Sequence, residues 1–114
     1  MKKYSFKRKE RLRKTQEFKR VIGRGRLLFG KYITMQFVEN NFSYSRWAVI
    51  IGKHIGNAVC RNRLKRRIKE IIRLNKNNAG KNFDVIFICK KGMEKFSYEE
   101  LTKIIWDLIK KIPE

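Results

Sequence analysis

Residues 57–76 carry the pattern that most constrains how this chain can fold. Wound as an α-helix at about 100° per residue, they place an apolar stripe on one face. The stripe consists of Cys60, Leu64, Ile68, Ile71 and Ile72. Asn57 has the side-chain oxygen that an N-cap requires. The segment therefore predicts a helix that packs on the core, and the turn-forming residues 77–80 predict where the helix ends.

The opposite face of this predicted helix is almost purely cationic. Between Arg61 and Lys76 the sequence has eight lysine or arginine residues and one acid, Glu70. Like charges one helical turn apart weaken an isolated helix, so helix stability does not explain the pattern. A solvated helix face is the alternative, but such faces usually mix both signs of charge. We therefore expect a face that binds a polyanion; it carries Asn62, Arg66, Lys69 and Arg73, flanked by Arg63 and Lys65.

The overall charge points to the same class of partner. Thirty Lys and Arg against ten Asp and Glu give a net charge of +20 over 114 residues. Nucleic acid is the expected partner, and an anionic membrane surface is the second choice. The basic N-terminus lacks the apolar stretch of a signal peptide, and no apolar run approaches the ~20 residues of a membrane span. We expect a cytoplasmic protein with one domain over residues 1–114, of which residues 1–14 form a basic arm.

The residues that usually carry catalysis are scattered. Cys60 and Cys89 are isolated in apolar surroundings, which predicts structural thiols in a reducing cytosol and no disulfide or zinc site. His54 is the only histidine. The ten acids form no cluster that could hold the ions of a metal-dependent nuclease. We therefore expect neither a catalytic residue nor a metal site in the polypeptide itself.

The other elements follow from periodicity and turn composition. Residues 16–22 predict a short helix with Thr15 as N-cap and Gly23 as its left-handed C′ residue, followed by a loop through Gly30. Residues 31–39 alternate like a half-buried strand, whereas residues 46–53 are apolar without alternation, as in a central strand covered on both faces. A turn between them makes a hairpin the simplest pairing.

The remainder of the chain predicts one strand and one helix. Residues 83–89 form the strand, and Ser97 with Glu100 forms a capping box that opens the helix. Its buried face comprises Leu101, Ile104, Ile105, Leu108 and Ile112. The predicted order is α-β-β-α-β-α, which gives an α+β sandwich with a small mixed sheet packed by helices.

A groove for single-stranded nucleic acid requires cations for phosphates and flat or apolar surface for bases. Thr34 and Gln36 on the outward face of the first predicted strand, with Phe18 and Ile22 on the first helix, would form such a groove. For Phe18, a place in the core is an equally good interpretation.

The sequence GNAVCRNRLKR at residues 56–66 resembles the signature of the protein subunit of bacterial ribonuclease P. The likeness extends over most of the chain: residues 11–14, Glu17-Phe18, the Gly25 turn, Ser45-Arg46 and residues 83–86. The match does not rest on charge alone. A ribosomal or RNA-chaperone protein would share the charge but would not require this motif, and a DNA-binding protein would need a helix-turn-helix that is not visible.

This resemblance implies a mechanism in which a large RNA is the catalyst. In that family the RNA hydrolyses precursor tRNA with bound Mg²⁺, which is held mainly by RNA, and no protein partner is required. The small protein docks on the catalytic RNA through the Arg-Asn-Arg helix and holds the single-stranded 5′ leader of precursor tRNA in a cleft between the first helix and the sheet. The residues carried over from the signature as contacts with the catalytic RNA are Arg61, Asn62, Arg63, Lys65 and Arg66. With Lys69 and Arg73 of the cationic face, and Lys53 before the helix, they make up the predicted RNA-binding set.

The cleft residue that best matches the family is Phe18, and the predicted leader cleft comprises Phe18, Ile22, Thr34 and Gln36. This chain departs from the family pattern at Ile22 and Gln36, where aromatic residues are often found, and at His54, where a basic residue is usual. The resemblance also implies a left-handed β-α-β crossover, against the general right-handed rule, in a fold like the second domain of ribosomal protein S5.

Overall fold

The computed structural model describes residues 8–76 and 82–113. Three helices and four strands account for most of these residues. In chain order they are α1 (Thr15–Arg24), β1 (Arg26–Phe29), β2 (Ile33–Glu39), β3 (Arg46–Ile51), α2 (Ala58–Asn75), β4 (Phe83–Cys89) and α3 (Tyr98–Ile109). The α+β class is confirmed, and its sheet is mixed. The predicted order lacks β1, because the sequence pattern predicts a loop through these four residues between two glycines.

The strand order is β1-β2-β4-β3. β2 pairs in antiparallel fashion with β1 and β4, whereas β3 runs parallel to β4. The predicted hairpin is therefore wrong, because β4 lies between the two strands that it would have joined. Asn40, directly after β2, is bonded to β4 instead of to β3: its N–H donates to the carbonyl of Asn82, and its side chain donates to Asp84.

β3 lies at one edge of the sheet, so its prediction as a central strand is wrong. The residues before α1 cover that edge, since the Leu12 N–H donates to the Trp47 carbonyl at 2.9 Å. The described part of the predicted basic arm is thus packed on the domain, and Leu12 is buried. β2, which was predicted to be half-buried, is a central strand with both faces of Ile33–Phe37 buried.

One face of the sheet packs against α2 and α3 to form the main core. The predicted apolar stripe of α2 lies there: Leu64, Ile68, Ile71 and Ile72 are buried, and Cys60 is half-buried. The N-cap is confirmed, because the Asn57 side chain accepts the Cys60 N–H at 2.9 Å. The predicted end of the helix at residues 77–80 lies outside the described residues.

The last helix follows its sequence prediction closely. Ser97 and Glu100 form the reciprocal capping box. Leu101, Ile105 and Leu108 are buried in the main core, as is Ile112 just beyond the helix, while Ile104 is partly buried against it. α3 ends at Ile109, before Pro113, and packs beside α2.

Among the described residues, α1 and Leu12 pack on the other face of the sheet. α1 starts and ends differently from its prediction. Lys14, not Thr15, is the N-cap, and the Glu17 carboxylate accepts the backbone N–H groups of Arg13 and Lys14. Gly23 is helical, so its assignment as a left-handed C′ residue is wrong. A small second core of Leu12, Val21 and Ile86 lies under α1.

The crossover from β3 through α2 to β4 joins two neighbouring parallel strands. Within this connection, the cationic helix α2 returns the chain from the end of β3 to the start of β4. The left-handed sense of this crossover stays a prediction from the family resemblance.

Candidate nucleic-acid interface

The polar face of α2 presents its cations most openly in the first half of the helix. Asn62, Arg63, Lys65 and Arg66 are exposed, whereas Arg61, Lys69 and Arg73 are half-buried. Lys53, in the loop before the helix, is also exposed. Because Leu64 and Ile68 fix the opposite side in the core, the exposed residues must face outward.

Arg61 shapes the start of this surface. Its Nη1 donates to the carbonyls of Gly56 at 2.7 Å and of Lys53 at 3.1 Å. Gly56 has a φ of +68°, and a Cβ there would lie 2.9 Å from the Cys60 Sγ. Three residues of the motif therefore stabilise the start of α2: Gly56, Asn57 and Arg61. Two others, Asn62 and Arg63, are exposed to solvent.

Arg73 makes a smaller contribution to the positive face. Its guanidinium is bonded to the Glu70 carboxylate, with Nε to Oε2 at 3.1 Å. This hydrogen bond raises the pKa of Arg73 and lowers that of Glu70. The pair offsets charge in the last turns of α2, so the positive potential is concentrated toward the N-terminal half.

A cavity of about 250 Å³ joins α2 to the α1 side of the sheet at the β3 edge. Its apolar wall includes Phe18, Trp47 and Val49, and its cations are Arg11, Arg13, Lys65 and Lys69. Burial lowers the pKa of Lys69, and the nearby charges of Lys65 and Arg11 lower it further. An anion in this cavity would offset that repulsion. The structure therefore brings Phe18 together with two cations of the α2 face.

α1 packs over the middle of a row of side chains on its side of the sheet. The strand register places Leu27, Gln36, Ile86 and Ala48 side by side across the four strands. Ile86 is fully buried, and the Gln36 side-chain amide donates to the Ile22 carbonyl at 3.0 Å. Gln36 is thus used to hold the end of α1.

The next row, which we call the open row, consists of Phe29, Thr34, Ile88 and Ile50. Phe29 is 76% exposed and Ile50 is 36% exposed, whereas Thr34 is only 5% exposed. The sequence pattern does not indicate that Phe29 and Ile50 are exposed, because it predicts a loop for β1 and a strand covered on both faces for β3. Ile88 is partly buried.

The predicted cleft residues therefore occupy different environments. Ile22 is exposed on α1, and Phe18 is half-buried with part of its ring lining the cavity. Thr34 and Gln36 are buried and offer little surface to a ligand. Of the four, Phe18 and Ile22 have surface that an RNA strand can reach.

A buried ion network fixes α1 on the sheet. Asp84 of β4 is fully buried and accepts from Arg46 Nε at 2.8 Å, Arg20 Nη1 at 3.1 Å and Asn40 Nδ2 at 2.8 Å. Arg46 also binds the Glu17 carboxylate. Hydrogen bonds and charge from Asp84, with further charge from Glu17, outweigh burial and raise the pKa of Arg46. The helix that carries Phe18 is thereby tied to the central strand.

Five of the nine carboxylates in the described residues take part in ion pairs. Ion pairs hold Glu10, Glu17, Glu70, Asp84 and Asp107. Within residues 8–76 and 82–113, no three His, Cys, Asp or Glu side chains come together as a metal site. This donor set does not fit a Mg²⁺ ion held by protein alone. Over the same residues, no helix combines the length and apolarity needed to cross a membrane.

Comparisons with known proteins agree on one family. The model of the family described as Ribonuclease P matches residues 6–113. The ribonuclease P protein component of Syntrophus aciditrophicus is 34% identical over 114 residues, covering 100% of this chain and 96% of its relative. That of Fusobacterium nucleatum is 38% identical, covering 81% and 86%. The solved RNase P protein from Thermotoga maritima superimposes with a TM-score of 0.84 at 30% identity, covering 92% of this chain and 99% of that one.

Proposed function

Because this chain belongs to the ribonuclease P protein family, and so to a tRNA-processing ribonucleoprotein, we propose how it divides its surface between two RNA ligands. The outward face of α2 binds the catalytic RNA. The α1 side of the sheet, entered through the cavity beside Phe18, binds the 5′ leader of precursor tRNA.

The catalytic-RNA contact is proposed for the exposed first half of α2. Asn62, Arg63 and Arg66 stand on a helix whose other side is fixed in the core, so they form a rigid, preorganised surface. Lys53 extends it at the helix start. Arginine suits this task because its planar fork binds phosphate through two N–H groups. Arg61 supports the surface from behind by holding the loop, and Arg73 contributes less because Glu70 shares its charge.

The leader contact rests on one observation: the cavity at the β3 edge combines an aromatic wall with cations. Single-stranded RNA is bound by stacking its bases on aromatic rings and pairing its phosphates with Lys or Arg. Phe18 supplies the ring, and Lys65 and Lys69 supply the cations. Lys65 and Lys69, which sequence reasoning assigned to the catalytic RNA, are proposed here to contact the leader.

The hydrolysis itself is proposed to belong to the RNA subunit. Mg²⁺ would be held by that RNA and would supply the metal-ion chemistry of the hydrolysis. The polypeptide contributes positive charge, which lowers the repulsion between two polyanions, and it orients the leader. No further protein is needed for these tasks, and both cysteines being free suits the reducing cytoplasm in which we place the complex.

The test of the leader site is Phe18→Leu. Leucine keeps apolar packing against Val21 and Ile86 but removes the stacking ring. Holoenzyme with this variant should bind precursor tRNA about tenfold more weakly, since stacking contributes about 1–3 kcal/mol per base. Binding of mature tRNA should not change, because mature tRNA has no leader.

Val38→Ala is the matched control. Val38 packs in the same small core as Phe18 but does not line the cavity at the β3 edge. It should lower the melting temperature without altering the ratio of precursor to mature affinity. A ratio that is equal for wild type and Phe18→Leu would show that the leader does not contact Phe18.

A further inference from the structure

Phe29 is a large apolar side chain whose exposure the core does not explain. It stands on β1, the edge strand opposite β3, with 76% of its surface exposed. The Lys90 ammonium lies 5.6 Å from the centre of its ring. That ammonium also donates to the Gly30 carbonyl at 2.8 Å, which fixes its position. One side of the ring thus meets a held cation, and much of the ring remains open to solvent.

The strand register gives Phe29 a defined relation to the proposed leader site. Across the sheet, from β1 to β3, the paired residues of the open row are Phe29, Thr34, Ile88 and Ile50. Ile50 lies two residues after Ala48 and on the same sheet face, and Ala48 lines the cavity at the β3 edge. The open row therefore runs from beside this cavity to Phe29, with exposed surface at Ile50 and Phe29 and the buried Thr34 between them. Strands about 4.8 Å apart make this path roughly 14 Å long.

The charge of the molecule decides what suits this row. A second copy of the chain would bring +20 against +20, so self-association through it is disfavoured. A nucleic-acid strand suits the row, because its bases can cover the apolar surface and its phosphates can pair with a lysine. Lys90 supplies such a cation at the β1 end of the row.

We propose that Phe29, with Lys90 behind it, forms a second stacking site for an unpaired base of the leader, farther from the cleavage point than the base at Phe18. This inference rests on the proposed leader-binding function and extends it. It assigns the open row as the path between the two aromatic rings. It also predicts that leader length, not only leader presence, affects affinity.

The test uses holoenzyme and two precursor tRNAs, one with a leader long enough to cross the sheet and one with a leader of about two nucleotides. Phe29→Ala should weaken binding of the long-leader substrate about fivefold or more. It should leave the short-leader substrate and mature tRNA unchanged. Phe29→Tyr keeps the ring and should bind like wild type. A 2-aminopurine at successive leader positions should lose quenching at one position in Phe29→Ala.

Phe42→Ala is the matched control, because Phe42 is 43% exposed in the loop between β2 and β3, at the opposite end of the sheet. It should not change the dependence on leader length. If wild-type holoenzyme binds precursor more tightly than mature tRNA, and Phe29→Ala binds the long-leader precursor as tightly as wild type does, the second site is refuted while the proposed function stands. If wild type shows no such preference, the leader-binding function itself fails. Sedimentation of the protein tests the alternative of a second copy. If wild type forms dimers that Phe29→Ala abolishes, and RNA binding is unchanged in this variant, the inference is overturned in favour of a second copy.

Discussion

The exposed arginines of α2 allow a quantitative test of the catalytic-RNA surface. Arg63 and Arg66 lie one helical turn apart, and both are exposed, so replacing them by alanine removes two cations without opening the core. Each phosphate contact contributes about 0.7 to 0.9 to the slope of log affinity against log salt. The double variant should therefore lower the magnitude of that slope by roughly 1.4 to 1.8.

This change in slope alters how the two affinities compare at different salt concentrations. The ratio of wild-type affinity to double-variant affinity should be about tenfold smaller at 200 mM than at 50 mM salt, because the salt concentration rises fourfold and the slopes differ by about 1.6. The assay is titration of labelled catalytic RNA at several KCl concentrations with Mg²⁺ held constant. A thermal melt should show little loss of stability, because relieving like-charge repulsion along the helix is slightly favourable.

The control is Lys103→Ala with Lys111→Ala. Both lysines are exposed on the α3 side of the molecule, and the pair lowers the net charge by the same amount. This variant should keep the wild-type slope. Equal slopes for all three proteins, or an equal drop in both variants, would refute a specific contact between RNA and the α2 face.

Three further predictions concern the protein alone. Asp84→Ala leaves Arg46 without its buried carboxylate partner, so urea unfolding should show a loss of about 3–5 kcal/mol; a loss below 1 kcal/mol would mean that the network does not hold α1. Burial raises the pKa of Glu17, but hydrogen bonds from the backbone N–H groups before α1 and the charge of Arg46 outweigh it and lower that pKa below 4.5. A carboxylate with a lowered pKa stabilises the fold above pH 4.5, and this contribution is lost as the pH falls below that value. Glu17→Gln should therefore reduce the loss of unfolding free energy between neutral and acidic pH. An unchanged loss would contradict this. Burial raises the pKa of Cys89 to about 12, so iodoacetamide at pH 8 should label Cys60 first by mass spectrometry, and equal labelling would contradict the packing.

Prediction from the sequence succeeded for elements that are defined by residues close together in the chain. The α2 stripe, the Asn57 cap and the Ser97–Glu100 capping box depend on contacts within one or two helical turns, and each was found as predicted. β4 also matched, because an apolar run such as Phe83–Cys89 indicates a strand covered on both faces.

The strand pairing could not be predicted, because it depends on contacts far apart in sequence. The turn-like residues after β2 favoured a hairpin, but β4 lies between β2 and β3, and the side chain of Asn40 bonds to Asp84 there. The apolar run of β3 predicts a central strand, but the residues before α1 cover the outer edge of β3 instead of another strand. The open row is likewise invisible in the sequence, because Phe29 and Ile50 lie on one sheet face only once β1, β2, β4 and β3 are placed in order.

The measurement that tests the account most directly is cleavage of precursor tRNA by the purified chain with and without its catalytic RNA. Protein freed of RNA by nuclease and high-salt chromatography should leave the precursor intact, with or without Mg²⁺. Adding the catalytic RNA and Mg²⁺ at low salt should give cleavage at the mature 5′ end, at a Mg²⁺ concentration where the RNA alone is slow. Site-specific cleavage by the RNA-free protein, or no stimulation of the RNA by the protein, would contradict the assignment of chemistry to RNA and of binding to this chain.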